Sequence, residues 1–455
     1  MLEAAWLTYR NRLGFGICRV THMNLLPYDD ALRTQLHNEV HARPSARIRL
    51  PAFILLVGVF NEGITREQEC AHLQKLQPDL ALQDVQGNFV RMRLSGCTVK
   101  WERHTEFTRY SLVQPLPEGV GLGAKDPELL SHLMLPEGWL SSIPGRTFSA
   151  IELVMLDGEL DALQATLDQT RTWFGKQPVI ASCMGSPPHS MVVTDFQLRN
   201  NGFERMLVVA PNHTSNERAG RISQRLLELE TYRLMALRGL PVAKLVGAQL
   251  GQAEKELADI IETLEHKGGN DQALLSRLVG LAAAVERLTA ENAYRFSATA
   301  AYSKLVSERI AELRESPISG TQTIGEFMKR RLSPAMATVA SSAQRLASLS
   351  ERISRASALL RTRVDIATEE QNRMLLEKLT KGQELQLRLQ TTVEGLSIAA
   401  ISYYVVSLLL YAGKAAKAAG LNVHPELLAG ALIPLVLWLV WSATRRIHDK
   451  LYKDI

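Results

Sequence analysis

Two histidines stand four residues apart in His37-Asn38-Glu39-Val40-His41, a spacing that puts both on one face of a helix, where paired imidazoles can hold a metal ion. A zinc protease of the HExxH type needs its glutamate directly after the first histidine, aimed at the metal-bound water. Here Glu39 comes one position later, on another face, and the sequence offers no evident third ligand. His37, His41 and Arg43 fit better as hydrogen-bonding groups where a helix ends ahead of Pro44, because proline disfavours helical backbone in the residue before it. A second dense stretch is Lys100-Trp101-Glu102-Arg103-His104-Thr105-Glu106. Strand alternation places Lys100, Glu102 and His104 on one face and Trp101, Arg103 and Thr105 on the other. Such a face serves either cross-strand ion pairing at a domain or subunit contact or a carboxylate–imidazole ligand site made by Glu102 and His104.

A third set lies near the C-terminus. Ser397, Ala400, Tyr404, Ser407, Tyr411 and Lys414 recur every three or four residues inside an otherwise apolar run, so they share one helical face. Polar groups facing lipid are costly, which turns this face toward protein or toward a water-filled pore. Contact between helices through small and hydroxyl residues and the lining of a pore both remain open. There is no Walker motif, GxGxxG fingerprint or GxSxG elbow. The sequence therefore gives no catalytic set and implies no cofactor, and the expectation is a protein that is not an enzyme. Arg345, Arg352, Arg355, Arg361 and Arg363 form a solvated helix face with no interleaved aromatics to stack bases, which argues against a nucleic-acid partner.

These residues need scaffolding of three kinds. The 455 residues carry 46% hydrophobic and 22% charged side chains and a net charge of +5, an ordinary globular balance in which the longest apolar runs gather at the end. Cys18, Cys70, Cys97 and Cys183 have no CxxC spacing and read as reduced thiols in a cytosolic compartment. The first residues show no basic stretch followed by a long apolar run, so no signal peptide is expected. Residues 1–212 read as a cytoplasmic α/β domain with a mixed sheet. Buried strands are expected at 51–60, 148–156 and 206–210, half-exposed strands at 98–104 and 107–113, and helices at 29–40, 66–76, 126–134 and 159–173. Residues 213–394 read as a helical layer and stalk: helices over 215–238, 241–265 and 271–315, a break at Ser316-Pro317-Ile318-Ser319-Gly320, then a very long helix opened by Ser333 as cap and Pro334 in its first turn. Val339, Leu346, Ile353, Leu360, Ala367 and Met374 repeat every seven residues along it, with Leu349 and Ala356 at the matching offset, a heptad seam interrupted by Arg363 and Glu370.

The last elements form a hairpin. Residues 395–413 carry no charge and span a bilayer core as a helix, and a second run over 427–443 contains Pro434 and ends in Trp438, Trp441 and Arg445-Arg446. Lys378, Lys381 and Arg388 precede the first span; Arg445, Arg446, Lys450 and Lys453 follow the second, in a basic tail over 444–455. The connecting loop holds only Lys414 and Lys417, so both termini are expected in the cytoplasm.

Four segments carry a family resemblance: Leu36-His37-Asn38-Glu39-Val40-His41-Ala42-Arg43-Pro44, Trp101 to Phe107, Glu230 to Leu237 and Gly320 to Phe327. They resemble the signature segments of domain-of-unknown-function family 3422, whose members are bacterial membrane-anchored proteins without an assigned activity. The overall plan, an α+β chain with a cytoplasmic α/β domain, a long helical stalk and a C-terminal two-span hairpin, also resembles the CorA-type divalent-cation channels. That likeness implies a homo-oligomer, a pentamer, in the bacterial inner membrane, with the first span lining an axis and an inorganic ion as substrate. His424-Pro425-Glu426-Leu427 resembles the acidic loop of those channels, with His424 and Glu426 as loop candidates. Their Gly-Met-Asn signature is missing: Tyr411-Ala412-Gly413-Lys414 stands in its place, and a ring of lysine ammoniums repels cations. Two functional readings follow: a CorA-like transporter of unassigned ion, and a non-transporting membrane-anchored scaffold or sensor whose cytoplasmic domain binds a ligand or partner.

Overall fold

The structure, a computed structural model, describes residues 30, 32, 33, 36, 37, 46–266, 270–419 and 424–451. Among the described residues nine strands form one sheet in the order β2-β3-β4-β1-β5-β8-β7-β6-β9. The strands are β1 (Ala52–Phe60), β2 (Phe89–Arg93), β3 (Thr98–Arg103), β4 (Phe107–Pro115), β5 (Arg146–Asp157), β6 (Ile180–Met184), β7 (Ser190–Leu198), β8 (Glu204–Ala210) and β9 (Glu315–Pro317). Only β5 and β8 pair in parallel; every other neighbouring pair is antiparallel, so the sheet is mixed, as expected. Its central strands are covered on both faces, which is why β1 reads as an unbroken apolar run, AFILLVGVF, and not as an alternation.

On one face, Phe53, Leu55, Val57, Trp101, Leu112, Val154 and Leu207 join a core with Leu73 of α1 (Arg66–Gln74), Val85 of α2 (Leu82–Gln86) and Leu167 of α3 (Leu163–Arg171). On the other, Ile54, Leu56, Ile151, Leu153, Met206 and Val208 pack with Leu226 and Leu229 of α4 (Asn216–Leu237) and Leu313 of α6 (Asp271–Leu313). Ile324 and Met328 of α7 (Ile324–Ala418) complete that second core. Ser215 caps α4, its hydroxyl accepting from the Arg218 N–H at 3.3 Å.

Two expected helices are corrected. Residues 126–134 form no α-helix; a single 3-10 turn, Leu130–His132, is all that remains. Asp126 holds a left-handed backbone at φ 41°, and the Gln114 amide pins the segment by donating to the His132 carbonyl at 2.9 Å and accepting from the Met134 N–H at 3.0 Å. The long helix begins at Ile324, ten residues before the expected Pro334, which lies inside it. Thr323 and Glu326 make a capping box, with Glu326 N–H donating to the Thr323 hydroxyl and Thr323 N–H to the Glu326 carboxylate, each at 3.1 Å.

The chain divides into two compact units. The first takes in Met1–Leu257 and Leu281–Glu351 and holds the sheet. Within it, α5 (Gly239–Glu265) meets α7 where the Ser342 hydroxyl reaches the Ala243 carbonyl and Arg345 pairs with Glu254 at 2.7 Å. The second takes in Ala258–Gly280 and Arg352–Ile455. The heptad seam is real as far as Leu360: Val339, Leu346, Leu349, Ile353, Ala356 and Leu360 are buried, whereas Ala367 and Met374 are exposed. Arg363, which interrupts the pattern, has a specific role in the second unit. Its guanidinium donates to the Leu264 carbonyl in the last turn of α5 at 2.8 Å and pairs with Asp271 at the start of α6 at 2.9 Å.

Among the described residues two helices are long and apolar enough to cross a membrane: α7, through its C-terminal run, and α8 (Pro425–Leu451) over Pro425–Arg446. Gly413 lies close enough to Pro425 that an added Cβ would sit 3.3 Å from the proline ring, so glycine admits the close approach of the two helices at that end.

Candidate functional site

The apolar run of α7 has two faces. Ser402 is buried, Ile398, Val405, Val406, Leu409 and Gly413 are half-buried, and on α8 Ala429 and Val436 are buried. The polar stripe is elsewhere. Ser397, Ala400, Tyr404, Tyr411 and Lys414 are exposed and Ser407 is half-buried. The six stripe residues thus share a face that α8 leaves largely open, while the buried hydroxyl is Ser402, a residue the spacing argument passed over. His424 and Glu426 lie at the start of α8, where the His424 carbonyl accepts from the Leu428 N–H at 3.1 Å.

In the sheet unit, β3 and β4 bring charged residues together. Register pairs Glu102 with Arg109 across the strands. The Arg109 guanidinium donates to the Glu102 carboxylate at 2.8 Å and the Lys100 ammonium lies 3.1 Å from the same oxygen. All three share the face packed under α4, so the expected placement of Lys100 and Glu102 on one side holds. Burial alone would raise the Glu102 carboxyl, but Arg109 and Lys100 outweigh it and hold it down at about 2. A carboxylate so firmly ionised is a poor proton carrier at neutral pH. His104 lies beyond the end of β3 and stacks on Phe107, ring centroids 4.5 Å apart.

From α4, Glu228 continues the charge layer. It accepts from Gln224 at 2.8 Å and from Arg309 of α6 at 2.6 Å; Arg309 also reaches Glu312 at 2.8 Å, and Glu312 pairs with Arg225 at 3.0 Å. The chain of charges runs from a buried strand to the surface near the end of α6. Arg103, on the opposite sheet face, pairs with Glu69 of α1, which also accepts from the Thr108 hydroxyl at 2.7 Å. Near the parallel pair of strands, Arg205 donates to a single oxygen of Glu152, Oε2, from both Nε at 2.9 Å and Nη2 at 2.8 Å, and reaches Asp126 at 2.6 Å. Glu204 sits between desolvation and the carboxylate of Glu230, which push its carboxyl up to about 9 against the pull of Arg233, whose guanidinium donates to it at 3.3 Å.

These networks were only partly visible in sequence. Glu69, Glu152, Glu204 and Glu228 come from different elements and gain their partners through the fold alone. His72 is the same kind of omission: it is buried against Trp139, centroids 4.4 Å apart, and burial, aided by Lys75, lowers its imidazole to about 4. Of the N-terminal candidates, His37 is an exposed helical residue; Glu39, His41 and Arg43 lie outside the described residues. Among the described residues no group of three or more His, Cys, Asp or Glu side chains could hold a metal ion. Cys70, Cys97 and Cys183 are buried free thiols, as expected, and Cys18 lies outside the described residues.

A family model described as Protein of unknown function (DUF3422) matches residues 28–451. No curated protein and no solved structure matches the chain.

Proposed function

The chain belongs to the DUF3422 family, and from that premise we propose that it is a membrane-anchored protein in which the C-terminal apolar hairpin holds a ligand- or partner-binding sheet domain at a bilayer. One observation carries this reading. The apolar windows of α7 and α8 bury only 6% and 11% of their residues inside the chain. A core helix of a water-soluble domain hides such a run; here Leu396, Tyr403, Tyr404, Leu408, Tyr411, Leu427, Trp438 and Trp441 are all exposed. Lipid covers that surface without requiring further protein. Trp438 and Trp441 suit an interfacial belt, and Arg445 lies over the Trp441 ring at 5.1 Å, at the expected cytoplasmic edge.

The excess of lysine and arginine outside the hairpin loop supports cytoplasmic termini. A reporter fused after Ile455 is then active in the cytoplasm; activity confined to the periplasm of a bacterial host overturns that orientation. Homo-oligomerisation is part of the same proposal. Between residues 366 and 396 of α7, Leu375, Leu379, Leu385, Leu389 and Val393 are exposed, and a neighbouring copy covers them in coiled-coil fashion.

The open stripe of Ser397, Tyr404, Ser407 and Tyr411 favours a second reading, a CorA-like ion pathway along a central axis. Lys414 at one end of that stripe opposes cation flow. Purified protein in liposomes decides between the two: flux that changes in Tyr404→Phe or Ser407→Ala supports transport, whereas no flux of divalent cations, monovalent cations or anions leaves the hairpin as an anchor.

A further inference from the structure

The surface end of the buried charge chain, Arg225 and Glu312, opens into a pocket. The pocket has a volume of about 310 Å³ and lies where the β6–β7 turn, the first turns of α4 and the end of α6 meet. Four arginines line it, Arg218, Arg221 and Arg225 from α4 and Arg314 from the residue after α6, against a single carboxylate, Glu312. That carboxylate is already engaged twice, by Arg225 at 3.0 Å and by Arg309 at 2.8 Å. Arg218, Arg221 and Arg314 form no ion pair among the described residues. Four guanidiniums on one small concavity repel one another, and the arrangement gains stability when an anion enters.

A second, independent feature lies at the same pocket. Ser190, at the start of β7, lines the pocket and is 1% exposed, yet its hydroxyl has no hydrogen-bond partner among the described residues. An unpaired buried hydroxyl costs stability unless a ligand supplies the partner. The backbone is shaped around this point. Gly185 holds φ 99°, and a Cβ there would meet the Pro187 carbonyl oxygen at 3.0 Å, so this turn beside the pocket calls for glycine. Arg314 is itself held at φ 48°, a left-handed backbone uncommon for arginine.

We propose that this pocket binds a phosphate-bearing anion, with the guanidiniums of Arg218, Arg221 and Arg314 and the buried hydroxyl of Ser190 as donors. Phosphate fits the donor set better than a carboxylate does. Its several oxygens accept from more than one guanidinium fork and from a neutral hydroxyl at once, and its charge approaches that which the unpaired arginines supply. The volume leaves room for a small organic group beside the phosphate. The phosphate comes either from a soluble phosphorylated molecule or from a phospholipid headgroup, and the chemistry of recognition is the same. This inference deepens the ligand-binding half of the reading above; anchoring by the hairpin is tested separately by membrane partition.

The experiment is calorimetric titration of the full chain, kept in an uncharged detergent at constant ionic strength, with inorganic phosphate in one arm and monomeric dioctanoyl phosphatidic acid in the other. Saturable binding is expected in at least one arm, weakened about tenfold by Arg218→Gln and about tenfold by Ser190→Ala, the loss of one charge-assisted donor each. Saturation by inorganic phosphate assigns a soluble source; saturation by the lipid alone assigns a headgroup. Ser190→Ala also guards against a trivial loss of fold: without ligand its Tm stays equal to or above that of the parent chain, because it removes an unpaired buried hydroxyl. No saturable heat in either arm overturns the proposal, and so does binding that both variants leave unchanged.

Discussion

The sheet unit and the apolar hairpin solve opposite problems. In the sheet unit, carboxylates and guanidiniums are taken out of water and paired with each other: Glu102 with Arg109 and Lys100, Glu152 with Arg205, Glu69 with Arg103. In the hairpin, leucines, tyrosines and tryptophans are left uncovered by the chain itself. A folded chain normally buries the apolar groups and hydrates the charges. The first region departs from that rule at little net cost because every buried charge named here finds an opposite one. The second leaves its apolar surface uncovered among the described residues, which is the observation behind the proposed bilayer anchor. What a mutation does should therefore depend on which region it enters.

The largest effect is expected where a sealed pair is broken. Arg205→Met leaves Glu152 buried with only the Asn201 amide, at 2.9 Å, and destabilises the chain by about 3–5 kcal/mol in denaturant titration. The hairpin gives the next largest and sharpest contrast. Leu408 is exposed, and in water Leu408→Arg would change stability by roughly 0.5 kcal/mol or less. In lipid the same substitution costs about 2–3 kcal/mol of insertion free energy, read as a smaller membrane-integrated fraction.

Titration separates two buried carboxyls by sign. Glu102 has a folded pKa of about 2, below its ordinary value of 4.5, so its contribution is present above that value and is lost as pH falls toward 2. Glu204 is raised to about 9, so its contribution is present below 4.5 and fades as pH rises toward 9. Glu204→Gln, which fixes the neutral form, gains on the parent chain by on the order of 1 kcal/mol between pH 6 and 8 in matched melts. The smallest effect belongs to a solvated pair in the same unit. Arg345→Ala removes the contact with Glu254 and changes stability by about 0.5 kcal/mol or less.

The apolar and helical patterns carried most of the architecture. The run from Ala52 to Phe60 is a strand because it is buried on both faces, and Asn216–Leu237 follows its serine cap. Short strands were not legible: Phe89–Arg93 and Ile180–Met184 are brief, and Glu315–Pro317 contains a proline tolerated at the edge of the sheet. The helix expected over 126–134 failed because a distant side chain, Gln114, took its backbone groups. The start of α7 was readable in Thr323 and Glu326 but was outweighed by Ser333-Pro334, a stronger local signal that the longer helix absorbs. For the candidate sites, spacing found the Lys100 and Glu102 face and the polar stripe. It could not find Ser190 or the arginines around it, which come from a strand, a helix and a turn separated by tens of residues.

Membrane partition of the full chain tests the central claim most directly. After expression in a bacterial host, membranes are washed in alkaline carbonate and then extracted with detergent. The protein is predicted to stay with the membranes through the wash and to leave them only in detergent. A monodisperse protein in the aqueous fraction, without detergent, would contradict the account.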